Sequence, residues 1–250
     1  MSAEPSASEI LAGVRSVYAG CRTYQDTGTE TTSFVDDHPA PRQVETKLFS
    51  TAFVRPDRFR FQCKTVIAAP EEEWEHMLIL RNADVVRASS RFHKRAQHYA
   101  PVEVFTLLAG SVGVFVFTLL TPSPKTLLPT VESTSILCRE PENGCECIVL
   151  AGCLWDASPQ TMWIGRDDLL VRRIDRVAVF DERWHALQAQ RCEQEMTRPL
   201  SKDRRKAFEQ VLEHLSRPHV PYRTETTITY EPVLDPAIPA EAFATPSSWG

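Results

Sequence analysis

The chain has 250 residues, 42% of them hydrophobic and 24% charged, which is ordinary globular composition with enough length to bury a core without metal or disulfide. A net charge of -5 with the signs interspersed leaves no basic stripe to neutralise a row of phosphates, so no nucleic-acid partner is expected. Seven cysteines (Cys21, Cys63, Cys138, Cys145, Cys147, Cys153, Cys192) are an odd set that does not fit a disulfide framework.

The first element expected is a helix over about 6–22. Ser6 and Glu9 have capping-box spacing, and Ile10, Leu11, Val14, Val17 and Tyr18 fall on one face. Thr27 to Val35 is rich in β-branched residues and reads as a strand on propensity, since its apolar alternation is weak. A longer strand follows from about Val44 to Val54, and its apolar phase slips near Leu48-Phe49, which predicts a β-bulge. In Arg58 to Lys64, Phe59, Phe61 and Cys63 alternate strictly with Arg58, Arg60, Gln62 and Lys64. One face is therefore buried and one wet, as in an antiparallel sheet. Trp74 to Leu80 and Val85 to Ala88 form a hairpin across Arg81-Asn82-Ala83-Asp84.

Val102 to Leu120 is apolar apart from Glu103 and a few small or hydroxyl residues. Its length suits a bilayer, but Gly110, Gly113 and Glu103 interrupt it and Pro122 and Pro124 close it, so two short helices, or a helix and a turn, are expected. Strands resume at Glu132 to Cys138, Cys145 to Leu150, Thr161 to Ile164 and Leu169 to Val179. A polar helical insert over about 185–216 carries a stripe of Ala207, Phe208, Val211, Leu212 and Leu215 and stops at Pro218. The last strand is Tyr222 to Tyr230. Hairpins without βαβ alternation exclude Rossmann and TIM folds and favour a single α+β domain over 1–250.

Several stretches resemble the bacterial lipoprotein-carrier fold of the LolA/LolB type, in its outer-membrane lipoprotein-sorting branch. They are Val17-Tyr18-Ala19-Gly20-Cys21-Arg22-Thr23-Tyr24, Phe53-Val54-Arg55-Pro56-Asp57-Arg58-Phe59-Arg60-Phe61, Met162-Trp163-Ile164 with Leu170-Val171-Arg172-Arg173-Ile174, and Ile228-Thr229-Tyr230 followed by Ile238-Pro239-Ala240-Glu241-Ala242-Phe243. The resemblance implies a curved antiparallel sheet forming an open half-barrel. A helical lid over about 102–122 would cover it, above a cavity that receives acyl chains. It also implies a periplasmic or cell-envelope location. The opening residues have no basic or apolar leader, so a cytoplasmic location is expected if the chain is native and complete.

The residues expected to line that cavity are Phe59, Phe61 and Trp74 from strands, Phe105, Leu108, Phe115, Phe117 and Leu120 from the apolar segment, and Trp163. The bland alternative is that the same side chains are plain core or a plug on the open side of the barrel. The expected partner is a lipid or a lipoprotein acyl chain, with an envelope protein as a second partner docking on the helix Ser201 to Ser216. A monomer without cofactor or metal is expected. Catalysis finds no motif: Gly-x-Ser-x-Gly, His-Glu-x-x-His and a phosphate loop are all missing from the sequence. The remaining alternative is a thiol or metal enzyme at Cys145, Cys147 and Cys153. The one-residue gap does not match zinc spacing and favours buried thiols. Asp167-Asp168 reads as a hairpin turn, and Arg166, Arg172, Arg173 and Arg176 as a solvated strand face.

Overall fold

In the computed structural model, residues 5–35, 43–67, 75–90, 93–99, 104, 108, 113–121, 128, 133–154, 158–197, 202–216 and 221–246 are described. The chain opens on α1 (Ala7–Gly20). The Ser6 hydroxyl accepts from the Glu9 N–H at 3.3 Å, and the Glu9 carboxylate accepts from the Ser6 N–H at 2.7 Å. This reciprocal cap satisfies two donors that a helix start leaves without partners. Strands β1 (Thr23–Val35), β2 (Gln43–Val54), β3 (Arg58–Val66), β4 (Glu75–Asn82), β5 (Val85–Ser90) and β6 (His93–Tyr99) follow. Then come α2 (Gly113–Leu120), β7 (Ser135–Glu142), β8 (Cys145–Cys153), β9 (Pro159–Gly165) and β10 (Val171–Phe180). The chain ends with α3 (Glu182–Met196), α4 (Lys202–Leu215), β11 (Tyr222–Tyr230), β12 (Val233–Leu234) and a 3-10 turn at Ala240–Phe243.

The strands form one sheet in the order β6-β5-β4-β3-β2-β1-β11-β10-β9-β8-β7, with β12 also paired to β1. The order runs from one end strand to another and does not close. Every ladder whose register is given is antiparallel, so the fold is the unclosed antiparallel sheet with helices that the resemblance implies. The β11–β12 side of β1 also keeps one antiparallel register. The Glu231 N–H donates to Thr27 O at 2.9 Å, and the pairs Gln25–Val233 and Tyr24–Leu234 continue it.

By contacts the chain divides into two compact units. The first comprises residues 1–32, 45–176 and 226–250, and the second 33–44 and 177–225. The first unit holds a single large core. Ile10, Leu11, Val14 and Tyr18 of α1 and Phe115, Phe117, Leu119 and Leu120 of α2 join Phe59 and Phe61 of β3, Ile79 of β4, Val86 of β5, Ile148 and Leu150 of β8, and Met162 and Ile164 of β9. Strands from both halves of the order thus share one core with the same two helices, which a flat sheet could not provide. The sheet therefore curves around α1 and α2. In the second unit, Asp181 caps α3 by accepting from the Trp184 N–H at 2.8 Å. The Phe180 ring stacks on Tyr222 with 4.6 Å between centroids and meets Trp184 edge-on at 4.8 Å.

One expectation is corrected here. No bulge occurs at Leu48-Phe49, because β2 and β3 pair without interruption from Thr46–Val66 to Val54–Arg58. Phe49, Thr51 and Phe53 point inward in strict alternation, and Leu48 is simply an outward leucine, 41% exposed. Over the expected helical insert the structure has two helices, α3 and α4, that pack on each other, α4 lying on the stretch Ser201 to Ser216.

Candidate functional site

The inner face of the first unit is built on β3. Phe59, Phe61 and Cys63 are at most 5% exposed, and the residues between them are half-buried on the other side. Cross-strand pairing extends this face in rows. Ile79 of β4 stands beside Phe61, which stands beside Thr51 of β2, and Phe53 stands beside Phe59. The helix α2 covers these rows. Its sequence GVFVFTLL is apolar on every side, so it is buried all round rather than on one stripe. Thr118, its one polar side chain, donates to Phe115 O at 2.7 Å within the helix. Gly113 starts α2 directly on the Phe61 ring. A Cβ there would come within 2.6 Å of that ring and 2.9 Å of Leu108. The Phe117 ring meets Phe59 edge-on at 5.0 Å, and Phe115 lies 6.0 Å from the Tyr230 ring.

Six of the nine residues expected to line a site are therefore brought together in one cluster: Phe59, Phe61, Leu108, Phe115, Phe117 and Leu120. Trp163 lies apart from them. On β9 it alternates with Met162 and Ile164, so it joins Cys147 and Val149 in a small cluster on the opposite face. There its ring carries the Arg173 guanidinium at 4.5 Å from the centroid, and its indole N–H donates to Glu140. Trp74 and Phe105 lie outside the described residues.

A second group on the same inner face was not foreseen. Along β1, Tyr24, Asp26, Gly28 and Glu30 point inward. Asp26 is 1% exposed and accepts from the Tyr24 hydroxyl at 2.7 Å through Oδ2. Burial raises its carboxyl to a pKa of about 6, with the donors of Tyr24 and, at longer range, Thr51 pulling it partly back. Asp26 Oδ1, Thr51 Oγ1 and Tyr230 Oη are all buried without a hydrogen bond of acceptable geometry. Glu30 takes Lys47 as its ion-pair partner at 3.0 Å. Tyr18 accepts from the Val171 N–H at 3.2 Å, and burial drives its phenol up, as it does those of Tyr24 and Tyr230. Arg55 donates to Cys21 O at 2.7 Å and Tyr18 O at 3.0 Å. It thereby fastens the end of α1, whose last carbonyls have no helical partner, to the end of β2.

The other chemical candidates resolve into structural roles. All seven cysteines are free thiols, and Cys147 is pushed up to about 11, first by burial and then by Cys145. Among the described residues no three His, Cys, Asp or Glu side chains stand together as a metal site. Asp168 accepts from the Leu170 N–H at 3.0 Å and pairs with Arg172, as a turn residue does. Arg166 pairs with Glu146 at 2.6 Å and Arg173 with Asp175 at 2.7 Å, so these strand-face cations are already partnered. Among the described residues no helix is long and apolar enough to cross a membrane.

No protein-family model matches the sequence, and a search of curated proteins finds no match. Solved structures do show likeness. A LolA-superfamily protein from Nitrosomonas europaea is 11% identical at a TM-score of 0.36, over 97% of this chain and 99% of that one. An outer membrane lipoprotein-sorting protein domain from Vibrio parahaemolyticus is 11% identical at a TM-score of 0.33, over 93% and 94%. In the MucA/MucB complex of Pseudomonas aeruginosa the matched chain is 10% identical at a TM-score of 0.42. The match there covers 97% of this chain and 62% of that one.

Proposed function

We propose that the protein is a non-catalytic carrier that holds a lipid or a lipoprotein acyl chain between the inner face of the sheet and α2, in the periplasm or cell envelope. The observation that supports this reading is the single apolar cluster in which Phe59 and Phe61 of an unclosed sheet pack with Leu108, Phe115, Phe117 and Leu120. With α2 moved aside, such a cluster would take up an alkyl chain, because each CH2 removed from water contributes about 0.8 kcal/mol without any polar contact. The helix α2 is suited to be the movable cover. It has no polar face, so the sheet or a guest must shield it at all times.

Organic extraction and native mass spectrometry of the purified protein test the reading, together with titration of a fluorescent alkyl probe. Co-purified lipid or saturable probe binding is the expected result. A protein that carries no lipid and binds no alkyl probe is not a carrier. A second reading, an interaction module for an envelope protein, is favoured by the exposed Leu187 of α3 and Val211 of α4, at 41% and 43%. A pull-down with the insert deleted decides it, since unchanged recovery of the partner removes that reading.

A further inference from the structure

The buried polar group around Asp26 is drawn from β1, β2 and β11, and its hydrogen-bonding capacity is not filled by the fold. Asp26, Thr51 and Tyr230 are each at most 2% exposed, and each has an oxygen without a hydrogen bond of acceptable geometry, although Thr51 stands close enough to Asp26 to steady its charge. Leaving such groups unpaired in a low-dielectric interior is costly, and valine or phenylalanine in the same shapes would remove two of the three costs. The three belong to one locality. β1 and β2 are antiparallel neighbours, joined by the Arg55 N–H to Arg22 O at one end and by Lys47 to Glu30 at the other, with Asp26 beside Thr51 between them. Burial raises the Tyr230 phenol, and Tyr230 is near enough that the Asp26 charge raises it further. Gly28 makes the approach possible. A methyl there would fall 2.0 Å from Thr229 O and 2.4 Å from the Phe49 ring, and Phe49 in turn sits 5.4 Å from Tyr230. Thr51 is also the cross-strand neighbour of Phe61, so the polar group continues directly from the apolar rows under α2.

We propose that Asp26, Thr51 and Tyr230 form a niche that receives the hydroxyl head of an amphipathic guest whose alkyl chain runs along Phe61 and α2. The inference rests on the acyl-chain reading above and adds a head-group class to it. The chemistry selects a hydroxyl. The free oxygen of Asp26 can only accept, whereas the hydroxyls of Thr51 and Tyr230 can give or take. A guest hydroxyl donates to Asp26 Oδ1 and, with its two lone pairs, accepts from both Tyr230 and Thr51, satisfying the set. A fatty-acid carboxylate would bring a second negative charge beside Asp26, and a quaternary ammonium has no N–H to donate. The titratable groups that feel the Asp26 charge are Tyr18, Tyr24 and Tyr230; Arg172 faces Tyr18, and Glu30, which faces Tyr230, is already held by Lys47.

The test is competition of dodecanol, dodecanoate and dodecyltrimethylammonium against a fluorescent alkyl probe at pH 7.5, on the full chain. The wild type should favour dodecanol over dodecanoate by about tenfold or more, the scale of one charge-assisted hydrogen bond. Thr51→Val with Tyr230→Phe should weaken dodecanol about tenfold and leave dodecanoate unchanged. Asp26→Asn should narrow the ratio by admitting the carboxylate. Thermal melting of the Thr51→Val, Tyr230→Phe variant without ligand supplies an independent readout. Because two unpaired hydroxyls are lost, its midpoint should equal or exceed that of the wild type. A clear fall would mean that those hydroxyls serve the fold, and would overturn the proposal. Equal affinity for all three heads, unaltered by the variants, would overturn the niche while leaving chain binding intact. A probe that does not bind at all would remove the carrier reading, and the niche with it.

Discussion

β3 and β1 turn the same face toward α1 and α2, only one strand apart, and they furnish it in opposite ways. β3 presents Phe59, Phe61 and Cys63, whereas β1 presents Tyr24, Asp26, Gly28 and Glu30. The first set gains from burial alone, each phenylalanine contributing about 2–3 kcal/mol relative to exposure. The second set must recover the cost of leaving water through partners. It does so only in part, through Tyr24 to Asp26 and Lys47 to Glu30. One half of the inner face is therefore the source of stability, and the other half draws on it. Strained or incompletely satisfied groups are tolerated where they serve something other than the fold.

The largest expected effect breaks the apolar half. Phe61→Ala removes a ring that touches β2, β4 and α2, and should cost about 3–5 kcal/mol in a urea titration. A loss below about 1 kcal/mol would mean that α2 does not rest on that ring. Breaking the polar half should act in the opposite direction. The Asp26 carboxyl rises from an ordinary 3.8 to about 6 in the folded protein, so the folded state holds its proton more tightly than the unfolded state. Its contribution is fully favourable below about 3.8 and is lost as the pH climbs through about 6. Asp26→Asn cannot ionise. At pH 7.5 it should be more stable than the wild type by up to about 3 kcal/mol, and the two should converge near pH 3.5. A gap that is constant with pH would show that the carboxyl does not titrate where its burial implies.

Gly28 joins the two halves, because its missing side chain lets Phe49 lie against β1. Gly28→Ala should cost about 1–3 kcal/mol through overpacking against Thr229 O and the Phe49 ring. Pairing it with Phe49→Leu, which withdraws the ring, should recover part of that loss. Two independent costs that simply add would show that the ring is not the obstacle.

The same contrast explains what was legible in the sequence. β3 was readable to the residue because polar and apolar positions alternate without exception. β1 was found only through its threonines, and Thr27 and Thr29 lie on the outward positions. Its inward positions are mostly polar, so no apolar period marks the buried face, and Asp26 lies just before the threonine-rich stretch that signals the strand. Trp163 shows the converse limit. β9 is apolar on both sides, with Met162 and Ile164 inward and Trp163 outward, and residue type cannot assign a face where both are buried. β6, which reads HKRAQHY, has no apolar repeat at all and was missed for that reason. The α2 segment was visible as apolar, yet hydrophobicity without a period gives no orientation.

Leu48 offers the smallest and most diagnostic test. Read from sequence, Leu48 and Phe49 compete for the inner face, and accepting both required a bulge. The continuous β2–β3 pairing instead sends Leu48 outward beside Lys64 and Phe49 inward beside Cys63. A leucine on the wet face of a strand buries little, and threonine matches it in strand propensity, so Leu48→Thr should change stability by less than about 0.5 kcal/mol. Phe49→Thr, one residue along, should cost several-fold more because it empties the space between Phe61 and Tyr230. The ratio of the two losses reports the register itself. A shift of one position would exchange every inward and outward side chain of β2, Thr51 included, and would move the polar niche off the inner face.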